Sequence, residues 1–164
     1  MRVVVCDTGP VLHLFEASAL DLLERAGEVL VPATVDHEIA RHIPDWPTRR
    51  PHWIRVDAIE QSETPFEQWA AQLGLGAGEV EAIVLAKSRR ADWLLTDDAT
   101  ARVVAALLGL EVHGSLGVVL WAAASAHINR PEADAILQRL ASSSLWISPV
   151  ILAEARRALD ALQP

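Results

Sequence analysis

The sequence predicts an α/β domain built on a parallel sheet, and three observations carry that expectation. Val3-Val4-Val5-Cys6 and Trp93-Leu94-Leu95 are apolar runs without polar alternation, as strands covered on both faces require. Both runs stop abruptly at acids, the first at Asp7-Thr8-Gly9-Pro10 and the second at Thr96-Asp97-Asp98. Between and after them the apolar residues recur at helical spacing, so strands alternate with helices.

Taken in order, Val3–Cys6 is the first strand. Val11, Leu12, Leu14 and Phe15, then Leu20, Leu22 and Leu23, predict helix from the Asp7 turn to about Arg25, ended by Gly27. Val29-Leu30-Val31 is a second short strand stopped by Pro32. A helix containing Val35, Glu38 and Ile39 follows and fades near His42. The proline-rich segment 43–51, with Arg49 and Arg50, is expected to be an irregular surface loop. Trp53-Ile54-Arg55-Val56 is a candidate edge strand. Thr64-Pro65-Phe66-Glu67 has a capping hydroxyl, a proline at the first position and Glu three residues after the cap, which together start a helix reaching about Leu73. The glycines at 74, 76 and 78 break it, and Glu79 begins the next helix. After the strand Trp93–Thr96, a helix covers about 99–108, Gly109 ends it, and Glu111-Val112-His113 is a last short strand. Three helices close the chain: 116–126, apolar almost all round; 131–140; and one capped at Ser148-Pro149 that runs to about Leu159. The chain is expected to be one domain, residues 1–164, with a helical region at about 116–160.

With 164 residues, about half of them apolar, the chain can bury a substantial core, and disorder is excluded. No apolar run reaches membrane-spanning length. A single cysteine excludes an internal disulfide framework and a Cys-rich zinc site, and fits a reducing compartment. The first strand is expected to start at once, leaving no room for a signal or transit peptide. The expected location is cytoplasmic. The formal charge of −8 argues against non-specific coating of nucleic acid, which needs basic surface. It is compatible with handling phosphates through metal ions, because acids hold such ions.

Four places put carboxylates at strand or helix ends: Asp7, Glu38, Glu79/Glu81 and Asp97/Asp98. Singly, each has a structural explanation as a helix cap, a first-turn charge favoured by the helix dipole, or an ordinary exposed residue. Together they have another. Parallel neighbouring strands would set Asp7 and Asp97 on one rim, where the starts of the following helices also lie. Several carboxylates in one pocket repel each other unless a cation sits between them. Mg²⁺ and Mn²⁺ take oxygen ligands, and such an ion beside an open coordination position is the arrangement that activates water against a phosphodiester.

The stretches VVVCDTGPVLHL, VPATVDHEIA and GLGAGEVEAIVLAKSRRADWLLTDDATARVVAALLGLEVHGSLGVVLWAA, in that order and followed by the closing helices, resemble the PIN-domain family, and within it small prokaryotic proteins of the toxin–antitoxin type. The resemblance implies a three-layer α/β/α fold with a central parallel sheet, and an Mg²⁺- or Mn²⁺-dependent ribonuclease. Matched residue by residue, Asp7 is the first acid, Glu38 the second and Asp97 the acid after the later strand, with Asp98 its rival. The remaining acid is usually an aspartate opening a helix of small residues. This chain opens that helix with Glu79-Val80-Glu81, and Glu79, with Ala82, Ile83 and Ala86 on its face, is preferred to Glu81. Thr8 is placed to position water or phosphate, although a capping role also explains it. Arg49, Arg50 and Arg102 are candidates for gripping the RNA backbone beside the cut.

Other chemistries fit less well. The six histidines lack paired ligand spacing, so a zinc site is not expected, and His37 reads as surface. Gly76-Ala77-Gly78 lacks the lysine of a phosphate-binding loop. Cys6 reads as core. A haloacid-dehalogenase-like phosphatase would want a second aspartate where Gly9 stands. The expected function is therefore a toxin-like metal-dependent ribonuclease acting on RNA. The alternatives are a non-catalytic RNA-binding or regulatory module on the same fold, and an oligomeric scaffold whose acids only cap helices. An antitoxin partner is left open, and the apolar C-terminal helices are compatible with a homodimer.

Overall fold

The structure, a computed structural model, describes residues 1–59 and 65–162. Five parallel strands form one sheet in the order β3-β2-β1-β4-β5: β1 (Val3–Cys6), β2 (Glu28–Pro32), β3 (Ile54–Asp57), β4 (Trp93–Leu95) and β5 (Val112–His113). The apolar runs without polar alternation have the reason expected of them, since both faces of the sheet are covered. Val4 and Cys6, Val29 and Val31, and Trp93 and Leu95 enter the core on one face. Val5, Leu30 and Leu94, the alternate residues, enter the core on the other. The first face is layered by α1 (Thr8–Glu16), α2 (Asp21–Ala26), α3 (Ala33–His42), α4 (Trp46–Arg49), α8 (Ser115–Ala124), α9 (Arg130–Ala141) and α10 (Pro149–Ala161). The second is covered by α5 (Pro65–Gln72), α6 (Ala77–Ser88) and α7 (Ala99–Leu107). This is a three-layer α/β/α fold. No helix among the described residues is long and apolar enough to cross a membrane.

The register brings Cys6 level with Leu95, and Asp7 N–H donates to Leu95 O across the gap at 2.9 Å. Asp7 and Thr96 therefore leave the sheet side by side. From β1 the chain first builds outward through β2 to β3, then crosses back to place β4 on the other side of β1. The carboxyl ends of β1 and β4 thus flank the point where the strand order reverses, which is where open α/β sheets form a crevice for ligands.

Several local expectations are revised. The predicted helix 11–25 is two helices, α1 and α2, separated by a turn in which Ser18 takes a left-handed conformation, φ 53°. Both sides of the turn are apolar (Ala17 and Ala19 are buried), so periodicity carries no trace of the break. The segment 43–51 is not an irregular loop. It holds the short helix α4, whose Trp46 is fully buried, packs edge-on against Phe15 at 6.3 Å and donates Nε1–H to Asp36 at 2.8 Å. The candidate edge strand is β3 and stands at the sheet edge. Helix α6 starts at Ala77, two residues before Glu79, so Gly78 belongs to its first turn. The proposed capping hydroxyl of Thr64 lies outside the described residues. Ser148 caps α10 as its hydroxyl predicts, accepting from Ile151 N–H at 3.2 Å.

Candidate active site

Among the described residues, the buried polar or charged side chains are Asp7, Thr96 and Ser115, at 5%, 1% and 0% exposure. All three meet at the carboxyl ends of β1 and β4. Burying polar groups is costly unless they are hydrogen-bonded, and here they bond to each other and to their neighbours. The Thr96 hydroxyl donates to Asp7 Oδ2 at 2.9 Å, and Thr8 N–H donates to Asp7 Oδ1 at 2.7 Å. Ser115, the first residue of α8, donates from its backbone N–H to Asp97 Oδ1 at 2.7 Å and from its hydroxyl to Oδ2 at 2.6 Å. His13 Nδ1 lies 2.7 Å from Asp97 Oδ2, an arrangement that places the ring proton on Nδ1.

Around this point stand the remaining acids. Glu38, on α3, accepts the Thr8 hydroxyl at 2.5 Å and rests against Gly78 in the first turn of α6. Glu79, in that same turn, reaches back to the N–H of Gly76, one half of a capping box. Burial pushes the Asp7 carboxyl up to about 7. The charges of Glu79 and Glu38 add to the rise, and the bonds from Thr8 and Thr96 oppose it. Glu79 is also raised, first by burial and then by the charges of Asp98 and Glu38. Asp97 behaves in the opposite sense. Burial pushes it up, but the bonds from His13 and Ser115 outweigh this and hold it below the ordinary aspartate value. One rim thus carries mutually repelling carboxylates, with a tightly bonded aspartate beside them.

A family model described as a PIN domain matches residues 3–161. The chain belongs to the PIN-domain family. PIN domains are generally nucleases and typically use divalent metals. Comparison with curated proteins and with solved structures found no match.

In this PIN domain the predicted acids separate into two groups. Asp7, Glu38 and Glu79 act on one another electrostatically, and Asp98 joins them through Glu79. Asp97 is instead engaged by His13 and Ser115. Glu81 is turned toward α3, where it accepts the Thr34 hydroxyl at 2.8 Å. Asp98 caps α7 by accepting Ala101 N–H with Oδ1 at 2.7 Å, and its side chain is otherwise exposed. The donor set is chemically suited to a hard divalent cation, since it is made of carboxylate oxygens that repel one another in its absence. Among the described residues no three acids, histidines or cysteines yet converge as a ligand group, and Asp7, Glu38 and Glu79 are each turned to a protein donor.

The candidate substrate residues differ in freedom. Arg50 donates to Asp36 Oδ2 at 2.7 Å, and the Arg49 guanidinium sits 4.7 Å from the centre of the Phe15 ring, so neither hangs from a loose loop. Arg102 is exposed at the rim, with one long bond of 3.4 Å to Thr96 O. Sequence pattern alone does not single out His13, Thr96 or Ser115 as members of the site. Thr96 carried a usable signal, a hydroxyl wedged between an apolar strand and two acids. His13 carried none, because its partner Asp97 lies 84 residues away.

Proposed function

We propose that this PIN domain is a metal-dependent ribonuclease whose site is the carboxylate rim at the ends of β1 and β4. The observation that supports it best is the placement of the buried polar side chains at the reversal of strand order, beside carboxylates that repel one another. Asp7, Glu38 and Glu79 would hold Mg²⁺ or Mn²⁺, with Asp97 or Asp98 completing the set. The bonding pattern favours Asp98 as the further ligand, since its Oδ2 is uncommitted, and Asp97 as the residue that fixes the starts of β4's exit and of α8. When bound, the ion supplies Lewis acidity, acidifying a water and offsetting charge on the scissile phosphate. Thr8 orients Glu38 through its hydroxyl. Thr96 and the N–H of Thr8 hold both oxygens of Asp7 in place. Arg102 is open to grip the phosphate backbone of RNA.

A non-catalytic RNA-binding module is the second reading, favoured by the way each acid of the rim is already satisfied by a protein donor. Calorimetric titration of the chelator-treated protein with Mn²⁺ tests the proposal at its base. Saturable binding that is lost in Asp7→Asn is expected. Absence of binding by the parent would leave the acids as helix caps and refute the metal site.

A further inference from the structure

Gly78 is not a glycine of conformation. Gly74 and Gly109 have φ of +81° with open space where a side chain would go, whereas Gly78 lies in the ordinary helical first turn of α6 and is buried. Any residue could adopt its backbone, and alanine would favour the helix. What a side chain cannot find there is room. A Cβ on Gly78 would lie 2.5 Å from Glu38 Oε2 and 2.9 Å from both Cδ and Oε1, closer than such atoms come. The groups in the way belong to the mobile end of a glutamate, which can swing aside without disturbing the backbone.

We propose that Gly78 is a positioning residue: its missing side chain is the seat that holds the Glu38 carboxylate on the rim, facing Asp7 and Glu79. The proposal rests on the reading of Glu38 as a metal ligand. It separates two properties that a structural glycine would couple. A glycine needed for the fold loses stability when replaced. A glycine that seats a ligand loses metal affinity while the fold is kept, because Glu38 turns away and the helix gains a better helix former.

The test compares the parent, Gly78→Ala, Glu38→Ala and the double variant, each measured by melting in chelator and by calorimetric titration with Mn²⁺. Gly78→Ala is expected to melt in chelator at or above the parent temperature and to bind Mn²⁺ roughly 10- to 100-fold more weakly, the usual loss when a ligand's support is removed. In the Glu38→Ala background the same replacement should change Mn²⁺ affinity no further. Unchanged affinity in Gly78→Ala, with the parent binding normally, overturns the positioning role alone. An equal loss of affinity from Gly78→Ala with and without Glu38 overturns it too, since the effect would not act through that carboxylate. A marked loss of stability in chelator makes Gly78 a structural residue. If the parent itself does not bind Mn²⁺, the metal reading falls and takes the positioning role with it.

Discussion

Replacing Asp7 by asparagine sets the cost of a buried charge against the value of a bonded side chain. The Asp7 carboxyl is raised from 3.8 to about 7 by burial and by Glu79 and Glu38. An acid raised on folding binds more protons in the native state than in the unfolded chain between those two values, so stability falls as pH rises through that window. At 1.36 kcal/mol per unit, the penalty for keeping Asp7 charged approaches about 4 kcal/mol above pH 7, and it is absent below 3.8. Asparagine keeps an oxygen for the Thr8 N–H, and the Thr96 hydroxyl can rotate to accept from the new amide. The bonds from Thr8 and Thr96 already act within that raised value, and asparagine meets them as the protonated acid does, with a neutral acceptor. In chelator at pH 8, Asp7→Asn is therefore expected to be more stable than the parent by up to about 4 kcal/mol, with the advantage shrinking toward zero by pH 4. Urea unfolding at both pH values reads this directly. A variant less stable than the parent by the same amount at pH 4 and pH 8 would refute the reasoning, because Asp7 would then matter for its hydrogen bonds and not for its charge.

Asp97→Asn and Asp98→Asn should part company. The first weakens bonds from His13 and both donors of Ser115 and should cost about 2 kcal/mol at neutral pH. Because the Asp97 carboxyl is held below its ordinary value, that stabilisation is present above the unfolded value near 3.8 and is lost as pH falls below it. Asp98→Asn retains a cap as good as aspartate and should leave stability nearly unchanged while weakening Mn²⁺ binding. Urea unfolding with Mn²⁺ titration separates the two, and equal effects on both readouts would undo the assignment. For the substrate grip, Arg102→Ala should lower the slope of log affinity for single-stranded RNA against log salt by about 0.7, one phosphate contact. Replacing Arg49 and Arg50 together by alanine should lower it as well, and an unchanged slope would remove α4 from the binding surface.

The parts of the fold legible in the sequence were those decided locally. The apolar runs of β1 and β4 announce strands buried on both faces, and the acids that end them lie where the strand order reverses. The start of α10 is legible because its cap Ser148 and Pro149 are neighbours in sequence, whereas Pro131 marks only the first turn of α9, which starts at Arg130 behind the cap Asn129. What depends on distant partners was hidden. The burial of Trp46 needs Phe15 on one side and Asp36 on the other, and without them its prolines and arginines read as loop. The start of α6 at Ala77 is hidden in the sequence because glycine, here at position 78, is a poor helix former. In the fold, a Cβ at Gly78 would meet the Glu38 carboxylate, a contact that the local sequence does not reveal. At the site, the residue types were evident as a set of acids, but their division was not. That Asp97 serves His13 and Ser115 while Asp98 faces Glu79 is a matter of side-chain direction, which adjacent aspartates do not disclose.

The central claim, that the carboxylate rim cuts RNA with a divalent ion, is tested most directly by cleavage of an end-labelled RNA. The parent and Asp7→Asn are incubated with Mn²⁺, with Mg²⁺ and with chelator. The account predicts fragments from the parent only when a divalent ion is present, and none above background from Asp7→Asn under any condition. Cleavage that persists in chelator, or that Asp7→Asn performs as well as the parent, would contradict it.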